Sequence, residues 1–479
     1  MENKLQVNSS VGAFQTRGIE PTYSGRYKNI GIMVAYHYLT SQGDFPYQYE
    51  NSAGESIREN RMNADLLSRN LFGRINYFVG DHHFSVQAGR MMSVRGIPGK
   101  INGWTPHARS SMQQDLSGIE YQVRKSALEF SANVRYSNSL TENTNRYPPE
   151  VERRYKRYPQ YDYYYRIRNV IANSEIKYTP SKWLQLTAGY RYRNLSYRDK
   201  NNMQSVFTPA VQKAQDHAHS FFLHQDWIFE IPWNSSQLSI RPAIRYDEMN
   251  IESETGNRFE YQWSPACDLF FSTGDLQKIY LKSTVARSFR VPTFADLFYQ
   301  DVRIEGKPDL LPEQSKNFET GIGFQLTEWG RVHGEATHFH YAIDNLIIWR
   351  LGSFEVFRPY NNDAEISGQE YLLTASTPEE RLSVELSYSH LNPLNKNPNE
   401  TTFNKIIPYR PQSTFKGTVG FQFKNMGMHI RFRNVGKRYV NEADTKSLSR
   451  YQVFDLNLIY SMNLCAINMD WKFSGYNIL

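Results

Sequence analysis

No apolar run in this 479-residue chain approaches the roughly 18 residues that mark a membrane-spanning helix. That excludes a helical membrane protein. Cysteine is nearly absent: Cys267 and Cys465 are far apart, both in strand-like stretches, and read as two free small residues rather than a disulfide. The opening segment Met1–Ser10 lacks the apolar core of a secretory leader. Basic residues exceed acidic ones only modestly, 55 to 48, and there is no lysine-rich arm or nucleic-acid motif. Nucleic acid is therefore excluded as a partner, and the charge reads as lumen and loop charge. A nucleophile elbow, paired carboxylates and a glycine-rich phosphate loop are all missing, so neither an enzyme nor a cofactor is expected. The pairs His217/His219 and His338/His340 each share one strand face, but no carboxylates or thiolates converge on them. They read as interface or lumen histidines, and no metal site is expected.

What the chain has instead is alternation. Ala127–Tyr136 reads A-L-E-F-S-A-N-V-R-Y, with Leu128, Phe130, Ala132, Val134 and Tyr136 on one face and polar residues on the other. Trp183–Arg193 repeats the pattern: Leu184, Leu186, Ala188, Tyr190 and Tyr192 oppose Gln185, Thr187, Arg191 and Arg193. Successive strand side chains point to opposite faces, so each stretch is a β-strand with one apolar and one wet side. A strand of about ten residues crosses a bilayer when tilted by roughly 45°. The mean hydropathy of −0.63 fits this reading, because half of every strand faces water or a lumen. Aromatics are abundant, at 33 Tyr and 28 Phe, and suit interfacial girdles.

A pass along the chain finds about twenty such segments, from Leu5–Gln15 and Lys28–Tyr38 through to Gln452–Met462 and Ala466–Tyr476. Their connections alternate in length. Short ones sit at Val123–Ser126, Thr179–Lys182, Ile231–Ser236, Thr273–Leu276, Thr327–Arg331 and Thr377–Arg381. Long ones fall at Thr40–Asp65, Asn138–Arg168, Ser196–His217, Phe289–Lys316 and Leu391–Gln412. Short turns on one rim and long loops on the other predict an all-β, antiparallel transmembrane β-barrel of about 20–22 strands. A β-propeller would show a blade period, which is absent, and a stack of soluble sandwiches is the remaining alternative on pattern alone.

The densest segment is Tyr147–Arg168, Y-P-P-E-V-E-R-R-Y-K-R-Y-P-Q-Y-D-Y-Y-Y-R-I-R. Its tyrosines offer rigid contact area and its arginines bind carboxylates or phosphates bidentately. It reads either as a grip on an anionic or aromatic ligand, or on lipopolysaccharide, or as a solvated loop whose rings pack on one another.

Ala286–Gly321 reads A-R-S-F-R-V-P-T-F-A-D-L-F-Y-Q-D-V-R-I-E-G-K-P-D-L-L-P-E-Q-S-K-N-F-E-T-G. It closely resembles the mid-barrel motif of TonB-dependent outer-membrane receptors. There a strand ends in S-F-R-x-P-T, a loop carries G-x-P-x-L-x-P-E, and the next strand opens with E-x-G. Those positions here are Ser288, Phe289, Arg290, Pro292 and Thr293; Gly306, Pro308, Leu310, Pro312 and Glu313; Glu319 and Gly321. Ile407–Pro411, Val435–Tyr439 and Tyr451–Tyr460 are similar to late barrel segments of the family. Gly96–Gly99 with Thr105–Arg109, and Ser41–Pro46, resemble early loops of its smaller cobalamin and siderophore receptors.

The resemblance covers nearly the whole chain, residues 1–479, as one receptor β-barrel domain. The family's N-terminal plug and energy-coupling box have no counterpart here, and the chain stops at Asn477-Ile478-Leu479, where relatives continue into a last strand. On this reading the chain is a barrel cut at both ends. The resemblance implies a Gram-negative outer-membrane location, crossing many times, with membrane lipid and lipopolysaccharide around it. It implies active transport of a large scarce solute, cobalamin or a ferric siderophore, driven by the TonB complex acting through the plug. The alternatives are a passive porin-like channel and a non-functional fragment of an interrupted receptor gene. Residues expected at the ligand are Trp104, Arg109, Arg153, Arg154, Tyr155, Arg157, Tyr158, Tyr163, Tyr164 and Tyr299.

Overall fold

The structure is a computed structural model that describes residues 3–51, 53–100, 103–146, 160–202, 212–275, 277–300, 304–328, 330–352, 356–464 and 467–478. Twenty-one strands form one sheet. They are β1 (Lys4–Gly12), β2 (Thr16–Tyr27), β3 (Ile30–Ser41), β4 (Leu66–Val79), β5 (His82–Gly96), β6 (Ala108–Lys125) and β7 (Leu128–Asn145). Next come β8 (Tyr161–Ser181), β9 (Leu184–Asn201), β10 (Lys213–Ile231), β11 (Ser236–Ser253), β12 (Gly256–Thr273), β13 (Gln277–Arg290) and β14 (Glu313–Leu326). The last are β15 (Arg331–Leu351), β16 (Phe357–Ser376), β17 (Leu382–Asn395), β18 (Ser413–Phe423), β19 (Met426–Val435), β20 (Tyr451–Leu464) and β21 (Ile467–Gly475). Every pairing joins a strand to its chain neighbour and is antiparallel, an up-and-down meander throughout. Among the described residues β1 pairs only with β2 and β21 only with β20.

The alternation seen in sequence survives as two faces. Register places Leu186 beside Tyr178 and Ala188 beside Ile176 and Leu223, while Thr187 lies between Lys177 and His224 on the other face. The first face carries Leu71, Ile75, Val86, Ile119, Ile176, Leu223, Leu269, Leu281, Val285 and Ile322, all more than 40% exposed. So large an unbroken apolar surface requires a hydrocarbon surrounding. Aromatics edge it at two heights. Near the short turns Tyr77, Phe84, Tyr121 and Phe130 follow one another at 4.9–6.4 Å between centroids, with Trp183 5.8 Å from Trp227. Toward the long loops Tyr190 lies 5.0 Å from Phe221 and Tyr246 4.6 Å from Trp263.

The opposite face is polar and cross-linked by charge. Arg245 meets Asp247 at 2.6 Å, Arg258 meets Glu260 at 2.6 Å, Arg241 meets Asp226 at 3.1 Å, and Arg193 pairs with Asp216. This face is the barrel interior. Glycines on either wall let a neighbouring ring lie flat across the strand: a Cβ at Gly334 would fall 2.3 Å from Phe324, its cross-strand partner.

Two differences from the sequence reading have plain causes. Thr16–Tyr27 is a full strand that the pattern misses, because Gly18, Pro21 and Gly25 interrupt it. The β2–β3 ladder simply skips Glu20 and Pro21, so the missing proline N–H costs one rung rather than the strand. Strands also run well past ten residues, to 21 in β8 and β15, and carry the long-loop rim outward. Of the Tyr147–Arg168 segment, Tyr161–Arg168 is therefore strand and not loop. Cys267 is a free thiol, and Cys465 lies outside the described residues.

Candidate functional site

The long connection between β13 and β14 is built on its own motif. Arg290 closes β13, Glu313 opens β14, and the two are cross-strand partners. Arg290 donates to both Glu313 oxygens, at 2.8 and 2.5 Å. A second carboxylate, Asp296, stands 3.4 Å from the same guanidinium. Asp296 accepts from the Thr293 amide at 2.9 Å and from its hydroxyl at 2.8 Å, while Thr293 Oγ1 accepts from the Asp296 amide at 3.1 Å. This reciprocal cap starts a short helix, α1 (Phe294–Phe298), where the sequence suggested only loop. Gly306 then passes so close to α1 that a Cβ there would lie 2.8 Å from backbone atoms of Leu297 and Phe298. Leu310 is fully buried.

The loop folds onto the polar wall rather than away from it. Phe294, Leu297, Phe298 and Leu310 pack with Tyr197, Ala214 and Ile251 of β9, β10 and β11, and with Ile347 of β15. A bulge between Ile343 and Leu346 sends Leu346 to Ala364 and Ile407, and Ile347 and Trp349 to the opposite face, where they meet the loop. The Ile347 amide donates to Glu313 at 2.8 Å and Trp349 Nε1 to Asp296 at 3.2 Å.

Tyr299 leaves α1 and donates its hydroxyl to that of Tyr163 at 2.8 Å. Its ring stands edge-on to Tyr163 and Tyr165, at 6.1 and 5.9 Å, and Tyr161 lies 5.5 Å from Tyr163. Tyr161, Tyr163 and Tyr165 are alternate residues on the interior face of β8, so the four rings form one aromatic shelf at the mouth. Tyr161 and Tyr165 were not singled out in the sequence, although their i, i+2 spacing around Tyr163 was the signal.

Tyr164 faces the other way. With Arg109 it lines an open polar cavity of about 830 Å³, whose wall also includes Asn63, His107, Glu142, Arg146 and Asp162. Arg109 is engaged: it holds both oxygens of Asp65 at 2.6 and 2.7 Å. That fork holds the Asp65 carboxyl below the usual range. The structure thus brings Tyr163 to Tyr299, and Arg109 to Tyr164, at two separate places. Trp104 belongs to a small ribbon in which Gly103–Trp104 pairs with Gly99–Lys100. Arg153, Arg154, Tyr155, Arg157 and Tyr158 lie outside the described residues.

A third assembly ties the remaining loops. Arg350 forks onto Glu400 at 2.7 and 2.8 Å and also meets Glu442 at 2.6 Å. Asn395 and Thr402 donate to the same Glu400 oxygen at 2.9 and 3.0 Å. These bonds pull the Glu400 carboxyl down to about 2. The first histidine pair is structural: His219 and His217 bond the hydroxyls of Tyr190 and Tyr192 at 2.7 and 3.3 Å on the apolar wall. No group of three or more metal-ligating side chains occurs among the described residues.

The sequence of residues 65–478 matches the family model described as TonB dependent receptor-like, beta-barrel. The chain belongs to this family. It is 24% identical over 438 residues to the vitamin B12 transporter BtuB of Photobacterium profundum, an alignment that covers 87% of this chain and 62% of that protein. The chain thus spans about three-fifths of that relative's length. Among solved structures, the copper transporter OprC superposes with a TM-score of 0.77 at 14% identity, over 100% of this chain and 74% of that one. BauA, the ferric preacinetobactin receptor from Acinetobacter baumannii, does so with a TM-score of 0.73 at 12% identity, over 100% and 75%. These likenesses establish an outer-membrane-type β-barrel fold.

Proposed function

We propose that residues 1–479 are the barrel domain of an active transporter in the outer membrane of a Gram-negative cell, taking up a large scarce solute. The solute class is a cobalamin or a ferric siderophore, and the energy comes from a TonB complex acting through a plug domain. The aromatic shelf of Tyr161, Tyr163, Tyr165 and Tyr299 carries the reading. Rings held edge to face, with a hydroxyl–hydroxyl bond between two of them, give a rigid aromatic contact surface at little entropic cost, suited to a bulky conjugated or aromatic ligand. Family membership and the likeness to a vitamin B12 transporter support the same direction. On this reading Trp104, Arg109 and the arginines and tyrosines of the Tyr147–Arg168 segment are further ligand contacts.

The test is a calorimetric titration of the refolded chain with cyanocobalamin and with catecholate and hydroxamate ferric siderophores. Saturable binding to one of them, weakened about tenfold or more in a Tyr163→Ala/Tyr299→Ala double variant, supports the proposal. The passive-channel alternative predicts no saturation, and solute flux across proteoliposomes that rises linearly with concentration.

A further inference from the structure

Above the upper aromatic belt the apolar face of β8–β10 gives way to a block of positive charge. Register sets Arg166 opposite Arg198 and Arg198 opposite Lys213, with Arg168 opposite Ser196 and Lys200 opposite Tyr164. All five basic side chains share the face of Ile176, Ala188 and Leu223, which is the outer wall. Like charges placed directly across strands repel and are ordinarily avoided. Here three stand in one row, and none of the five forms an ion pair among the described residues. The neighbouring carboxylates are occupied or turned elsewhere. Asp162 is held by Arg146, Glu252 accepts from Asn250 at 2.8 Å, and Glu142 faces the cavity beside Arg109. Glu254, one position beyond the Ala214–Ser253 pair, accepts from the Gln212 amide at 2.8 Å. Arg166 Nε is buried yet has no hydrogen-bond partner among the described residues. On the interior side of the same strands the pattern is the reverse, with Arg193 and Asp216 paired.

Height fixes what meets this row. Val170 is the last apolar residue of β8 on the outer face, and Arg168 and Arg166 follow at the next two outward positions. At about 3.4 Å per residue and a tilt of roughly 45°, they lie about 5–10 Å above Val170, within the headgroup layer. Long basic side chains there bury their stems and present their charge to lipid phosphates. We propose that Arg166, Arg198 and Lys213, flanked by Arg168 and Lys200, are a docking site for a phosphate of an outer-leaflet glycolipid such as lipid A. The site rests on the outer-membrane reading and needs no transport ligand. One phosphate bridging Arg166 and Arg198 removes the repulsion and satisfies Arg166 Nε.

The experiment titrates the full chain, folded in detergent, with bis-phosphorylated lipid A and reads bound lipid by native mass spectrometry. An Arg166→Gln/Arg198→Gln/Lys213→Gln variant is compared with a control losing three charges on the opposite rim, at Lys125, Lys177 and Lys182. The proposal expects lipid A affinity to fall about tenfold or more in the first variant only, with dephosphorylated lipid binding weakly to both forms. Equal affinity in the two variants overturns it, as does inorganic phosphate displacing the lipid at comparable concentration, which would make this a soluble-anion site. Heat-dependent gel mobility checks folding separately: a wild-type chain that fails to form a heat-modifiable barrel defeats the membrane reading itself. If only the triple variant fails to fold, Arg166→Gln alone, read for the same loss, replaces it.

Discussion

Arg290 and Glu313 are sequence neighbours of a 22-residue loop and direct partners across it, joined by two parallel hydrogen bonds of 2.8 and 2.5 Å. The same guanidinium balances Asp296, so one arginine neutralises two carboxylates that are both largely screened from water. Replacing Arg290 with Met leaves that pair of acids facing each other. The expected cost is about 2 kcal/mol, because the hydrogen bonds lost are charged ones and the arginine is partly exposed. Arg290→Lys should recover only part of it, since an ammonium cannot reproduce the fork. Protease nicking within residues 291–312, measured against the unfolding midpoint in denaturant, checks this: Met should open the loop well before the barrel melts.

Glu400 gives the loops a dependence on acidity. Its carboxyl is lowered from 4.5 to about 2, chiefly by the Arg350 hydrogen bond and then by Asn395 and Thr402. A depressed folded value means the stabilisation is fully present above the unfolded value near 4.5 and is lost as pH falls through about 2. The clasp between residues 350, 400 and 442 should therefore hold at pH 4 and loosen between pH 3 and 2. Hydrogen exchange of the 396–412 segment at stepped pH would show this. In Glu400→Gln the segment should already be loose at pH 7, and its exchange should lose the acid transition.

The wall of this barrel is plainly legible in its sequence and the mouth is not, for a physical reason. Period-two alternation reports only on which side is solvated by hydrocarbon, so it finds Leu128–Tyr136 but not the outer part of the same strand, which runs on to Asn145. Above the membrane both faces are wet, the contrast disappears, and the upper halves of β8 and β9 read as loop. Motif residues Arg290, Thr293, Gly306 and Glu313 could be picked out by resemblance, but their joint role depends on Ile347 and Trp349, which only a bulge at Asn345 delivers. Arg350, Glu400 and Glu442 meet across nearly a hundred residues with no local signature.

Gly334 tests whether close packing on the outer wall matters for assembly. An added methyl would fall 2.3 Å from Phe324, and the ring cannot retreat without leaving the strand it covers. Gly334→Ala should slow or reduce insertion into vesicles. Restoring space with Phe324→Leu should rescue it, because two neighbours sharing one volume are coupled. Independent, additive losses would show that the ring is not positioned by the glycine.

Depth offers the sharpest check on register. Leu186 and Leu223 share the outer wall, but Leu186 lies one outward position from the Leu184–Trp227 pair near the short turns, and Leu223 stands opposite Ala188, nearer the midplane. Thr187 is adjacent in sequence and faces the interior beside His224. An arginine at the midplane costs about 2–4 kcal/mol, falls to about 0–1 near an interface, and is tolerated in the lumen. Folding yields into lipid vesicles should therefore rank Thr187→Arg near wild type, Leu186→Arg slightly lower and Leu223→Arg far below. A one-residue slip in β9 would exchange Leu186 and Thr187, and the order of those two variants would invert.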